Sequence, residues 1–179
     1  DDFLATVHNG ISYDFNGSLI ELSSAEGFMF PGIYEISRDA EPSEVVHQLV
    51  GRFFSELPSD YFDVSSLNGL NILEAVTLAS MIQKEMVLEE EASLIASVFL
   101  NRLKAEMPLQ SDPTVQYAVG FSDDSNSWWK IPLESADLKI DSPFNTYIYT
   151  GLPPTPICSP GKEALLSVVN PADTDYFYF

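Results

Sequence analysis

Apolar side chains recur at steps of three and four along several stretches of the chain, and each such stretch predicts a helix. The clearest runs from Leu70 to Met86, where Leu78, Met81 and Ile82 share one stripe. Asn71 is placed to cap it, and Glu74, three residues on, completes a capping box. A second helix is predicted from about Glu89 to Lys104, with the acidic run Glu89 to Glu91 at its start. Arg102 and Lys104 suit its C-terminal end, where the helix dipole favours cations. Glu41 to Leu57 reads as a third helix, with Ser43 as the expected N-cap and Val46, Leu49, Val50 and Phe53 facing inward. Gly161 to Val169 predicts a short one.

Elsewhere the pattern breaks up. Over residues 1–40, Gly10, Asn16-Gly17, Gly27 and Pro31-Gly32 punctuate aromatic-rich pieces, which suits turns and short strands. Phe28 to Ile36 reads as a bent strand or hairpin around Pro31-Gly32, and Tyr176 to Phe179 as a strand cut short. Past Pro108 the chain becomes rich in proline, with a polar loop at Ser122 to Ser127 and an extended run at Leu152 to Ser159. Helices and short strands without βαβ alternation predict an α+β fold, helix-rich, with short hairpins and long proline-rich loops. The 179 residues suit one domain, read as an N-terminal hairpin-and-helix part (1–66) followed by a core (67–179).

Charge narrows the partners. Lys and Arg number 8 against 27 Asp and Glu, a net charge of −19 that repels nucleic acid and anionic lipid at long range. A neutral glycan is compatible with it. Cys158 is the one cysteine, so no internal disulfide forms. His8 and His47 have no second ligand type at metal spacing, and neither a metal nor another cofactor is expected. No apolar run is long enough to span a membrane. Both ends are abrupt and read as cuts in a longer chain.

One carboxylate sits on the wrong face. Glu85 continues the Leu78, Met81, Ile82 stripe near the end of its helix, where desolvation and the helix dipole both disfavour charge. Such a group holds its proton to higher pH, as a general acid must. The alternative is a carboxylate that reaches water round the helix end or pairs with Lys84, and the pattern alone leaves both open. Gln83 and Lys84 read as ordinary solvated residues. Pro108 to Thr114 forms a polar loop offering Gln110, Ser111, Asp112 and Thr114, or else a turn in which Asp112 caps the next helix. Ser142 to Tyr147 places Asn145 and Tyr147 among aromatics, as a sugar site would, or forms a turn with a packed tyrosine.

Taken in order, these segments resemble a known family. Leu78-Ala79-Ser80 through Lys84-Glu85 is similar to the LAS-x-x-x-KE helix of MltG-type (YceG-like) endolytic murein transglycosylases. Val98-Phe99-Leu100-Asn101-Arg102-Leu103, Pro108 to Val115, Ser142 to Tyr147 and Gly151 to Ile157 resemble further segments of that family. So does Glu26 to Pro31 upstream. The chain departs from the pattern at Gln83, where many relatives carry an acid. It departs also at Met86, in place of Thr or Ser, and at Gly32-Ile33, in place of Asp-Thr.

The resemblance implies a lysozyme-like catalytic core that cleaves the MurNAc–GlcNAc β-1,4 bond of peptidoglycan and leaves 1,6-anhydro-MurNAc ends. Glu85 maps onto the family's glutamate as the single acid and base. Gln110, Ser111, Thr114, Asn145 and Tyr147 are the expected substrate contacts, and Asn101 and Asp112 are expected to be structural. The resemblance also implies a LysM-like domain and a single membrane helix before this chain. It implies a catalytic domain on the extracytoplasmic side of a bacterial cell membrane, and action as a glycan-strand terminase beside penicillin-binding proteins. Two other readings stay open: a muramidase using Glu85 with Asp112, and a non-catalytic module that binds glycan or a synthase.

Overall fold

The computed structural model describes residues 2–15, 17–61, 68–123 and 125–179. In chain order the elements are α1 (Asp2–His8), β1 (Ile11–Phe15), β2 (Ser18–Leu22), α2 (Pro42–Glu56), α3 (Ile72–Glu85), α4 (Ala92–Lys104), α5 (Asp112–Val119) and α6 (Lys162–Val169). Short 3₁₀ turns occupy Glu89–Glu91 and Asp137–Lys139. The architecture is α+β and helix-rich, as expected.

The fold is organised around α3. Its start is the predicted capping box: the Asn71 side chain accepts from the Glu74 N–H at 3.0 Å, and the Glu74 carboxylate accepts from the Asn71 N–H at 2.8 Å. Every residue from Ala75 to Ile82 is buried. The helix is therefore covered on all sides through its middle, and the apolar stripe seen in the sequence is only part of its buried surface. Small residues on it, Ala75, Ala79 and Ser80, let α4, α5 and α6 pack close. The two ends, Ile72 to Glu74 and Gln83 to Glu85, come partly to the surface.

The N-terminal part is a hairpin on a helix. β1 and β2 pair antiparallel, Ile11 opposite Leu22 and Phe15 opposite Ser18. Gly17 takes the left-handed backbone this turn needs, at φ +83°, and its N–H donates to Asp14 Oδ1 at 2.8 Å. The Asn16 half of the expected turn lies outside the described residues, as does the expected boundary between 66 and 67. Tyr13 stacks on Phe54 of α2 with ring centroids 4.6 Å apart, and Phe28 meets Phe53 edge-on at 5.3 Å.

Several local expectations are corrected. Residues Asp2–His8 form α1 where only turns and strands were expected. The N-cap of α2 is Glu41, not Ser43: Pro42 opens the helix, and the Glu44 carboxylate reaches back to the Glu41 N–H at 3.2 Å. A proline at the first helical position lacks only an N–H that has no partner there anyway. The segment Phe28 to Ile36 forms no strand, because its polar groups are met by α2 instead of a ladder. Phe30 N–H donates to Leu49 O at 3.2 Å, and Arg52 donates to Ile33 O at 3.2 Å while lying over the Tyr34 ring. The helix expected from Glu89 becomes regular only at Ala92, since the Glu91 carboxylate folds back onto the Val87 and Leu88 N–H groups.

The C-terminal Tyr176 to Phe179 is not a strand either. Its carbonyls face α4, where Asn101 donates to Tyr176 O at 2.9 Å and Arg102 to Phe177 O at 2.6 Å.

Candidate active site

Glu85 closes α3, half-buried, where the packed helix emerges beside the loop that leads into α5. Ser111 Oγ donates to Glu85 Oε1 at 2.6 Å. Burial pushes the Glu85 carboxyl above the usual carboxylate range. The Ser111 hydrogen bond pulls it back, and the negative charge of Asp112 adds to the rise. The result is a carboxylic acid kept protonated to higher pH beside a fixed hydroxyl donor, which suits proton transfer to a substrate oxygen.

The Ser111 bond has a defined origin. Its own N–H donates to Thr146 Oγ1 at 3.0 Å, and its carbonyl accepts from Thr114 Oγ1 at 2.6 Å. Thr114 and Thr146 share a hydrogen bond of 2.8 Å between hydroxyls, and Gln110 N–H donates to Thr146 O at 3.0 Å. The two expected loops are thereby laced together. Arg102 holds the same loop from behind, donating to Leu109 O at 2.7 Å.

These bonds reassign several expected substrate contacts. Thr114 is fully buried, with its hydroxyl committed to Ser111 and Thr146. Asn145 is fully buried too: its amide donates to Leu138 O at 3.1 Å and Ile140 O at 2.9 Å, and its oxygen accepts from the Tyr147 N–H. Both shape the loops and present nothing to a ligand. Ser111 is 1% exposed and serves Glu85. Gln110 keeps an exposed side chain on a left-handed backbone, φ 51°, and Tyr147 is half-exposed.

Tyr147 donates to Asp112 Oδ1 at 2.6 Å. Burial first, then this bond and the nearby charges of Asp112 and Glu85, hold its phenol well above the usual range. It therefore remains a donor. Asp112 is the first residue of α5, not its cap; Ser111 holds the cap position. Asn101 has a structural role: it donates to Thr174 O and Tyr176 O, tying down the C-terminal segment.

The neighbours of Glu85 are not solvated-face residues. Gln83 Oε1 accepts from the Gly161 N–H at 2.8 Å, docking the start of α6. Lys84 lies 3.6 Å from the centre of the Trp129 ring, a cation–π contact. One turn earlier, buried Ser80 accepts from the Ile157 N–H at 3.0 Å, which fixes the extended proline-rich segment on α3. Sequence reasoning missed Trp128, Trp129, Tyr117 and Glu26, which with Ile157 line a cavity of about 540 Å³ along this side. The signal was present as two adjacent tryptophans in a polar loop.

Replacing Ser111 with alanine removes the hydrogen bond that favours the Glu85 carboxylate. The Glu85 pKa then rises further, so the alkaline fall in activity is expected to move to higher pH in Ser111→Ala. A pH–rate profile checks this, and an unmoved or lowered alkaline limb would refute it.

The chain is similar to several known proteins. The model of a family described as the YceG-like family matches residues 3–179. A protein of Bacillus subtilis named endolytic murein transglycosylase is 37% identical over 155 residues, covering 86% of this chain and 41% of that protein. One of the same name from Streptococcus pneumoniae is 35% identical over 154 residues, covering 86% of this chain and 27% of its own length. The chain thus spans well under half the length of these relatives. A crystal structure of a yceG-like protein of Listeria monocytogenes superposes with a TM-score of 0.75 at 32% identity. That match covers 87% of this chain and 49% of the other.

Proposed function

The chain belongs to the YceG-like family, and on that premise we propose that it is a peptidoglycan lytic transglycosylase with Glu85 as its single acid and base. The observation that carries this reading is the half-buried Glu85 carboxyl at the end of α3, its pKa raised by burial and its orientation set by Ser111 at 2.6 Å.

The steps follow from one carboxyl group. Protonated Glu85 donates to the glycosidic oxygen between MurNAc and GlcNAc. The C1–O bond breaks, its electron pair stays with the leaving oxygen, and positive charge develops at C1. The Glu85 carboxylate then takes the proton of the MurNAc C6 hydroxyl, whose oxygen bonds to C1. A 1,6-anhydro ring forms and Glu85 is again protonated. The nucleophile is tethered to the substrate, so no water has to be positioned and no second carboxylate is required. A hydrolase normally needs that second carboxylate. Asp112, whose charge acts on Glu85, is the candidate for it, but one of its oxygens is engaged by Tyr147. Tyr147 and Gln110, with exposed polar groups, are the proposed contacts to the sugar.

This reading places the reaction outside the cytoplasmic membrane, where the murein lies. Among the described residues no helix is long and apolar enough to cross a membrane. A membrane helix and LysM-like domain outside this chain, and a penicillin-binding protein as companion, belong to the same proposal.

The test is a digest of purified glycan strands with mass spectrometry of the products. Anhydro-ended fragments are expected. Fragments heavier by one water would move the assignment to a hydrolase and to Asp112, and an absence of products would favour a binding module.

A further inference from the structure

The cavity between Glu26, Tyr117, Trp128, Trp129 and Ile157 measures about 540 Å³, within the usual range for small-ligand sites. Its walls are tied to the helix that carries Glu85. Ile157 is bonded to Ser80, and Trp129 sits on Lys84, the residue before Glu85. Tyr117 belongs to α5, the helix that Ser111 caps. The cavity thus lies against the C-terminal half of α3, the helix that ends in Glu85.

Its most conspicuous feature is an exposed ring. Trp128 leaves 65% of its surface in solvent. The described residues on either side of it are held by bonds and a ring contact, so the exposure is held in place. Ser122 and Ser127 exchange backbone bonds of 2.9 and 3.3 Å, and the Phe121 ring meets Trp128 edge-on at 5.4 Å. Gln116 of α5 donates to Lys130 O at 3.0 Å, and Lys130 pairs with Asp137 at 2.8 Å. One face of Trp129 is already occupied by Lys84. Trp128 is therefore the ring left open to a ligand.

The polar group at the other wall is Glu26. One of its oxygens accepts from Tyr117 at 2.9 Å, and burial and that contact push the Tyr117 phenol up to about 12, so the phenol stays a donor. A carboxylate has acceptor sites beyond the one Tyr117 fills. It takes donors, namely hydroxyl or amide N–H groups, and repels anions. An aromatic face beside an acceptor-only group fits a pyranose, whose C–H bonds present an apolar face and whose rim carries O–H and N–H donors.

Resting on the glycan-cleaving reading above, we infer that this cavity is a saccharide subsite of the glycan strand, holding a neutral N-acetylated pyranose stacked on Trp128 and bonded to Glu26. The anionic wall selects the uncharged sugar over one bearing a free carboxylate. Stacking on a pinned ring costs little ordering, so its loss should be felt mainly in binding.

The experiment uses a β-1,4-linked N-acetylglucosamine oligomer, titrated by calorimetry into Glu85→Gln protein so that no turnover intervenes. Saturable binding is expected, weakened roughly 10-fold by Trp128→Ala and largely restored by Trp128→Phe. The exposed site makes the fold of both variants safe, which unchanged melting temperatures verify. In the enzyme with Glu85 intact, Trp128→Ala should raise KM for strands and leave kcat unchanged. Absence of binding to the Glu85→Gln protein, or equal affinity with and without Trp128, overturns the subsite. Product analysis of strand digests reads the reaction separately. Trp128-dependent binding without cleavage would refute the reaction and keep the subsite, whereas cleavage indifferent to Trp128 would do the reverse.

Discussion

Glu85→Gln is expected to lower the rate of strand cleavage about 1,000-fold or more while leaving the fold intact. The amide is the same size and still accepts from Ser111, so the 2.6 Å contact survives in altered strength. It can neither give a proton to the leaving oxygen nor take one from the C6 hydroxyl, and both steps fail together. The same substitution tests the buried carboxyl thermodynamically. Because the folded protein raises the Glu85 pKa, the folded state binds this proton more tightly than the unfolded chain does. The stability that follows is complete below the ordinary carboxylate pKa and is lost as pH rises through the raised one. Glu85→Gln should remove that part of the pH dependence, flattening the melting temperature across the window between the two values. Activity in the wild type should fall on the alkaline side as Glu85 gives up its proton. Residual activity within about 10-fold of wild type would sink the acid/base assignment.

Arg102→Ala carries the largest expected loss of stability. Arg102 is 7% exposed and donates from one side to Phe177 O at 2.6 Å and from the other to Leu109 O at 2.7 Å. Its guanidinium also lies 4.8 Å from the centre of the Tyr178 ring. Two charge-assisted hydrogen bonds disappear, and the Leu109 carbonyl is left buried without its partner. The cost is about 3 kcal/mol, which for a chain of 179 residues corresponds to a melting temperature lower by roughly 10 °C. Arg102→Lys should recover only part of this, because an ammonium does not reproduce the rigid fork that spans both carbonyls. Leu109 immediately precedes Gln110 and Ser111, so the loss should also loosen the Ser111 contact to Glu85 and depress kcat. Thermal melts of both variants decide the matter; a shift of under about 2 °C for Arg102→Ala would show that the strap carries little.

The helices were legible for a local reason. Asn71 and Glu74 are three residues apart, Leu78 and Glu85 seven, and a helix fixes such neighbours without help from the rest of the chain. The same reasoning failed at Ser43, where Glu41 and Pro42 together made a better start, and over Phe28 to Ile36, where Arg52 supplied partners a strand would have sought. The aromatic ending looked like a strand because its composition does. Its carbonyls were instead claimed by Asn101 and Arg102 on a helix more than 70 residues earlier.

By itself, then, the sequence determined the α+β class, the long buried helix with its capping box, the place of Glu85 on an apolar stripe and the ordered segments that mark the family. All of these rest on spacing within one element or on residue order. What only the tertiary structure decided is which polar groups meet. Ser111 reaches Glu85 across 26 positions and Tyr147 reaches Asp112 across 35, while Thr114 and Asn145 are spent inside the loops and Lys84 lies on the Trp129 ring. A hydroxyl or amide carries the same donors wherever it stands. Whether it faces a ligand or a neighbouring carbonyl is set by the path of the packed chain, because a buried polar group must find its partner there.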